Sequence, residues 1–325
     1  MSISGDAGIG KSRVKIELRD NLGQDVRWLE GRCQSYTQTT SYAPMVQVLR
    51  AALGLASLEA QAIARTRLRV ALRALVGDRA DQLIGALASV LDIDLGTSAT
   101  SGAPADPQGL RSQLVLAVHA VLEGLAQRGP IIVAIEDLHW ADAASVELLI
   151  TLAELTDFHH LMVLVTGRPE TEGNAWNFRQ HVERHYGHRL TELRLAALAE
   201  ADSRSLAENL LRVSDLPDAI RQTILSRAEG NPFFLEEIIR ALIEQGVLRR
   251  EGERWVAGED PEQWPIPTTL RGVLTARIDR LPGPAKASSS TPRSSAAFSS
   301  TGPWRRLAAR RAIWIVRWPT FYGRS

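Results

Sequence analysis

The chain has 325 residues, with 38 Lys and Arg against 37 Asp and Glu, and its formal charge of +1 singles out no charged partner. That balance is the sum of two unlike stretches: residues 286–325 carry eight basic side chains and no acid, which leaves 30 basic and 37 acidic groups, net −7, in residues 1–285. A body of that length with 45% hydrophobic residues can bury the cores of about two domains, and its acidic balance argues against wholesale nucleic-acid binding. The single cysteine, Cys33, excludes an internal disulfide; no signal sequence stands at the N-terminus, and no apolar run approaches the roughly 20 residues of a membrane span. A soluble cytoplasmic protein is the expectation.

Residues 5–12, Gly-Asp-Ala-Gly-Ile-Gly-Lys-Ser, fit the pattern G-x-x-x-x-G-K-[ST] and run into a helical stretch, although only four residues precede them where a buried strand normally stands. Residues 26–33 (VRWLEGRC) read as a second strand and 45–53 as a helix entered through Pro44. Leucines and valines at helical spacing continue over 58–95, with Arg65, Arg67, Arg69 and Arg73 on solvated faces, and 97–107 reads as a loop. A helical stripe over 110–125 leads to the short apolar run 131–135, a fully buried strand closed by Glu136 and Asp137. Asp142 suits the N-cap of a helix to about 155; 161–166 (LMVLVT) is another buried strand and 189–195 a weaker fifth. Strands alternating with helices predict a parallel, helix-covered sheet. Beyond about 196 the pattern becomes helical, with a break at Gly230-Asn231-Pro232, an apolar helix over 233–245, a hairpin over 247–256 and further helical spacing from 270 to 281.

The chemistry follows from residue types at these places. A glycine-rich loop lets backbone amides converge on phosphate oxygens at a helix N-terminus, with Lys11 reaching the β- and γ-phosphates and the Ser12 hydroxyl ligating Mg²⁺. Only three of the basic residues are lysines, so Lys11 in the motif carries weight. Two adjacent acids at a strand's end suit phosphoryl transfer, one orienting the metal and one activating water; which acid does which stays open. Arg168, after the strand 161–166, would share the sheet edge of the loop and could contact the γ-phosphate. His181, His185 and His188 fall at i, i+4 and i+7 but lack the H-E-x-x-H order of a zinc helix, and His139 is the better polar candidate because it adjoins the acids.

With those residues in place, the chain resembles the nucleotide-binding module of the signal-transduction ATPases with numerous domains (STAND), an AAA-like P-loop class. It looks most like the predicted ATPases that accompany class III adenylate/guanylate cyclase domains or LuxR-type transcriptional regulators. The segments that carry the resemblance are 4–13 (SGDAGIGKSR), 31–50 (GRCQSYTQTTSYAPMVQVLR), 131–142 (IIVAIEDLHWAD), 230–248 (GNPFFLEEIIRALIEQGVL) and 268–282 (TTLRGVLTARIDRLP). The resemblance implies an α/β P-loop ATPase core over residues 1–195 and a mainly helical lid and winged-helix-like region over 196–285. It implies ATP/ADP and Mg²⁺ as ligands, hydrolysis of ATP to ADP and phosphate as a slow signalling switch, and protein partners or self-association through the ATPase module. Gly5, Gly8, Ile9, Gly10, Lys11 and Ser12 would bind nucleotide, Ser12, Glu136 and Asp137 the metal, Arg168 would sense the γ-phosphate and Pro232 would touch the nucleotide. The family often has Asp where this chain has Glu136.

Two features depart from that pattern: the strand before Gly5 is short, and the familiar sequence ends near Pro284, consistent with truncation. Residues 286–325 are rich in Ser, Arg and Trp. They read either as a basic arm, with Arg305, Arg306, Arg310 and Arg311 for phosphates and Trp304, Trp314 and Trp318 for stacking or a membrane interface, or as a disordered or frameshifted end; the abrupt loss of every acid favours the latter. Nucleic-acid or membrane contact is expected only if the arm is genuine. The alternative to a hydrolysing switch is a non-hydrolysing nucleotide-binding scaffold or an inactive fragment.

Overall fold

The computed structural model describes residues 1–257 except Thr39, Leu58, 97–106, 212–217 and 252–253. They form two units, one of Met1–Gly5 with Leu18–Arg194 and the other of Asp6–Glu17 with the described residues from Leu195 onward.

In the first unit, β1 (Ser2–Ser4), β2 (Arg27–Arg32), β3 (Ile131–Glu136), β4 (Leu161–Gly167) and β5 (Glu192–Arg194) form a parallel sheet in the order β2-β3-β4-β1-β5. Helix α1 (Lys11–Asp20) follows β1; α2 (Ala43–Leu53), α3 (Gln61–Val76), α4 (Ala80–Leu91) and α5 (Pro107–Ala126) lie between β2 and β3 in the chain; α6 (Ala143–Leu155) and α7 (Gly173–Tyr186) precede β4 and β5. Parallel neighbours need such crossovers, and the result is the α/β fold of a P-loop NTPase, as the alternating pattern predicts.

Every residue of β3 is buried. Its alternate side chains Ile131, Val133 and Ile135 join one large core with Leu49, Leu68, Leu87, Leu122 and Leu149 from the helices, while Ile132 and Ala134 on the opposite face are equally enclosed. This two-sided burial explains the unbroken apolar run in the sequence. The predicted helical stretch 58–95 is two helices, separated at Gly77, whose φ of 61° ends α3. The strand before the glycine-rich loop is three residues long, yet it has ladders on both sides: Ile3 pairs with Thr166 of β4 and with Leu193 of β5 and is fully buried. The predicted loop over 97–107, apart from Pro107, which begins α5, the helical spacing over 270–281 and the tail from 286 lie outside the described residues.

Strand β2 lies at an end of the sheet order, and the side chain of Gln47 on α2 occupies its free side, accepting from the Arg32 N–H and donating to the Arg32 carbonyl, both at 3.1 Å. The close approach of α2 requires Gly31, where a Cβ would lie 2.3 Å from the Pro44 carbonyl oxygen.

In the second unit, α8 (Glu200–Leu211), α9 (Asp218–Ala228) and α10 (Pro232–Glu244) enclose a smaller core through Leu206, Ile224, Leu235, Ile238 and Leu242, and β6 (Leu248–Glu251) pairs antiparallel with β7 (Arg254–Ala257). Gly230 has φ 72°, and a Cβ there would lie 2.5 Å from the Leu198 carbonyl oxygen. Asn231 caps α10, its Oδ1 accepting from the N–H groups of Phe233 and Phe234, and Pro232 takes the first helical position, where no N–H is needed.

Replacing Gly31 by Ala forces the start of α2 off β2. We expect a loss of about 1–3 kcal/mol in urea denaturation; an unchanged midpoint would contradict this packing.

Candidate functional site

The glycine-rich loop adopts a conformation that its glycines allow. Gly8 and Gly10 have φ of 79° and 102°, in the left-handed region, and a Cβ added at Gly10 would meet nothing within 4 Å. Gly10 therefore borders open space. The first bond of α1 runs from the Val14 N–H to the Gly10 carbonyl, so the N–H groups of the helix's first turn have no acceptor within the helix. Lys11 bends back over the loop, its Nζ donating to the Asp6 carbonyl at 2.8 Å; Ser12 is exposed and Ile9 is buried. Open space beside Gly10 at a helix N-terminus, with one ammonium and one hydroxyl, offers a donor set that fits a polyphosphate and its Mg²⁺.

The back of the same loop meets the start of α10. The Asn231 Nδ2 donates to the Ala7 carbonyl at 3.0 Å and the Phe233 N–H to the Gly8 carbonyl at 3.3 Å. A Cβ at Gly8 would lie 2.8 Å from the Asn231 Oδ1, so the loop glycine also makes room for this contact.

The sheet supplies a second group of residues. Glu136 ends β3 and is 7% exposed, and Asp137, the next residue, turns into the left-handed region with φ 55° and ψ 44°. A non-glycine residue held there is strained, and the strain is maintained by its surroundings. The Asp137 N–H donates to the Thr166 Oγ1 at 3.3 Å and its carbonyl accepts from the Trp140 N–H at 2.8 Å. This turn brings both carboxylates within reach of one guanidinium: Arg32 at the end of β2 places Nη2 3.2 Å from the Asp137 Oδ2 and Nε 3.8 Å from the Glu136 Oε2. Gly5 joins this edge too, donating its N–H to the Gly167 carbonyl at 3.3 Å, and Asp6 follows it in the chain.

Among the residues singled out in the sequence, Glu136 and Asp137 thus share a cation at one end of the sheet, and exposed Arg168 follows β4 at that end. Gly8, Ile9, Gly10, Lys11 and Ser12 belong to the second unit with Pro232. The histidines separate: His181 and His185 lie one turn apart on α7 with ring centroids at 4.4 Å, but the helix stops at Tyr186, so His188, at i+7 in the sequence, falls in the following turn rather than on the same helix. The ring of His139 packs against Trp140, with centroids 5.0 Å apart.

Sequence reasoning missed Arg32, Thr166 and Asn231. The first two act through strand pairing, which leaves no local signal. Asn231 did leave one, an Asn-Pro pair before an apolar helix, which is the pattern of an N-cap.

A parallel sheet with a glycine-rich loop after its short inner strand β1, and acids at the end of the buried strand β3, defines an AAA-like P-loop ATPase module. Residues 1–165 match the AAA ATPase domain family, and the chain belongs to that family of nucleotide-binding modules. Residues 199–253 match a family described as a domain of unknown function, DUF8739. Over 244 residues the chain is 30% identical to an uncharacterized protein of Rhizobium meliloti (strain 1021). That alignment covers 73% of this chain and 22% of the relative, so the chain spans about a fifth of the relative's length.

The Arg32 bridge predicts that Arg32→Ala, which leaves two adjacent carboxylates without their shared cation, lowers stability by about 1–2 kcal/mol, a value moderated by the partial exposure of the arginine. Arg32→Lys keeps the charge without the fork and should recover only part of the loss; a urea midpoint equal to the parent's in Arg32→Ala would refute the bridge.

Proposed function

We propose that the chain is the nucleotide-binding part of a regulatory switch that binds ATP with Mg²⁺ and hydrolyses it slowly to ADP and phosphate. The observation that carries this reading is the strand, glycine loop and helix formed by residues 2–20, with Lys11 at the start of the helix, in a member of the AAA ATPase domain family. The loop amides from Gly5 to Ser12 and the Lys11 ammonium would hold the phosphate oxygens, and Ser12 with one of the two acids would hold the metal. The metal supplies charge neutralisation at the phosphates.

In the reaction, water attacks the γ-phosphorus, the bond from that phosphorus to the bridging oxygen breaks, and the water proton passes to one of the carboxylates Glu136 and Asp137. Arg168 would contact the γ-phosphate and so distinguish ATP from ADP, and Pro232 would touch the nucleotide. In this reading residues 1–195 are an ATPase core and 196–285 a helical lid with a winged-helix-like continuation, cytoplasmic and acting on protein partners. A signalling role of the kind found beside cyclase or transcription-factor domains follows from the sequence resemblance.

A second reading is a nucleotide-binding scaffold that does not hydrolyse. The Arg32 bridge favours it, because a guanidinium already occupies oxygens of both acids that the metal and the water proton would need.

Titration of the full chain with ATP tests the first step. Lys11→Ala should raise the Kd at least ~100-fold, since the ammonium is the loop's one side-chain cation for phosphate; equal affinity in this variant would overturn the assignment. Glu136→Gln and Asp137→Asn should retain binding and reduce phosphate release to the level of Lys11→Ala. If the parent itself binds ATP but releases phosphate no faster than Lys11→Ala, the scaffold reading holds.

A further inference from the structure

Two successive carbonyls of the glycine-rich loop point toward the start of α10. The Ala7 carbonyl accepts from the Asn231 side-chain amide and the Gly8 carbonyl from the Phe233 N–H. A peptide unit is planar and trans, so the N–H that shares a plane with each carbonyl points the opposite way. The amides opposite these two carbonyls are those of Gly8 and Ile9, within the run that a phosphate-binding loop turns toward its ligand. A donor behind each peptide therefore fixes the aim of the amide in front of it and polarises it.

The Ile9 N–H now makes only a long turn bond to the Asp6 carbonyl, at 3.4 Å, which a phosphate oxygen could replace. Asn231 is the centre of the arrangement because it uses both ends of its amide. Its Nδ2 holds the loop, while its Oδ1 accepts from the Phe233 and Phe234 N–H groups and so starts α10.

We propose that Asn231 is a positioning residue for phosphate binding, its Nδ2 holding the Gly8 amide in aim from behind while the Phe233 N–H does the same for the Ile9 amide, so that ligand in the loop and the start of α10 stabilise each other. The proposal rests on the reading of the loop as a nucleotide site, and deepens it by naming how the second unit registers the ligand. Binding to a pre-aimed loop avoids the cost of ordering it, and linkage makes the effect mutual: whatever Asn231 adds to ligand affinity, ligand must add to the Asn231 contact.

The test separates the two ends of the side chain. Serine caps a helix about as well as asparagine but is too short to reach the Ala7 carbonyl. In the full chain, Asn231→Ser should keep the melting midpoint of the parent while its Kd for ADP rises about tenfold, the effect of one lost hydrogen bond. Hydrogen exchange supplies a readout that a purely structural cap would not move: saturating ADP should slow exchange of residues 231–235 in the parent, and in Asn231→Ser it should still slow residues 6–12 but protect 231–235 less than in the parent, since only the Phe233 bond to Gly8 remains.

An Asn231→Ser protein that binds ADP as tightly as the parent, with the same protection of 231–235, overturns the proposal. Should the serine variant fail to fold, Asn231→Asp, which keeps the cap and removes the donor, is judged by the same exchange pattern. Lys11→Ala serves as the third arm. If it too leaves ADP affinity unchanged, the nucleotide reading fails; if it loses ADP while Asn231→Ser does not, the positioning role alone fails.

Discussion

A strand of three residues fixes where the glycine-rich loop begins. Ile3 is fully buried, and its neighbours Ser2 and Ser4 are held in register with Val165 and Gly167 on one side and Glu192 and Arg194 on the other. A slip of one residue would turn Ile3 to the opposite face and carry Gly5 away from the Gly167 carbonyl, so the register is well determined despite the short ladder. Parallel pairing then does the rest. The chain leaves β1 at the same end of the sheet where β3 delivers its acids and β4 delivers Arg168.

At that end, the sheet solves an electrostatic problem with few residues. Glu136 is buried beside a second acid, and such a pair needs a counter-charge. Arg32 provides it because β2 runs alongside β3 in register, Arg32 opposite Glu136, with the Arg32 backbone pinned on its other side by Gln47. The left-handed turn at Asp137, supported by Thr166, brings the second carboxylate to the same guanidinium. The glycine-rich loop is organised by different means: glycines supply the backbone freedom, and the start of α10 occupies two of the outward carbonyls.

Much of this was legible in the sequence where the cause is local. The unbroken apolar runs of β3 and β4 mark strands buried on both faces, the glycine spacing marks the loop, and Asp142 does cap α6, its Oδ1 accepting from the Ser145 N–H at 2.9 Å. Local signals also located α10 and the hairpin that follows it to within a residue or two. What could not be read depends on residues distant in the chain. Arg32 and Asp137 are 105 positions apart, and Asn231 lies 224 positions from Ala7. The positive φ of Asp137 was equally hidden, since an aspartate after a strand is ordinary in a turn and only the ring of partners around it holds the strained conformation.

The central claim is that residues 5–12 grip a chain of phosphates. The most direct measurement is the affinity of the full chain for ATP, ADP and AMP with Mg²⁺ present. A loop that takes its hold from the β-phosphate, through backbone amides and Lys11, should bind both ATP and ADP, and AMP at least ~100-fold more weakly than ADP. AMP bound as tightly as ADP would place the grip on the nucleoside and contradict the account.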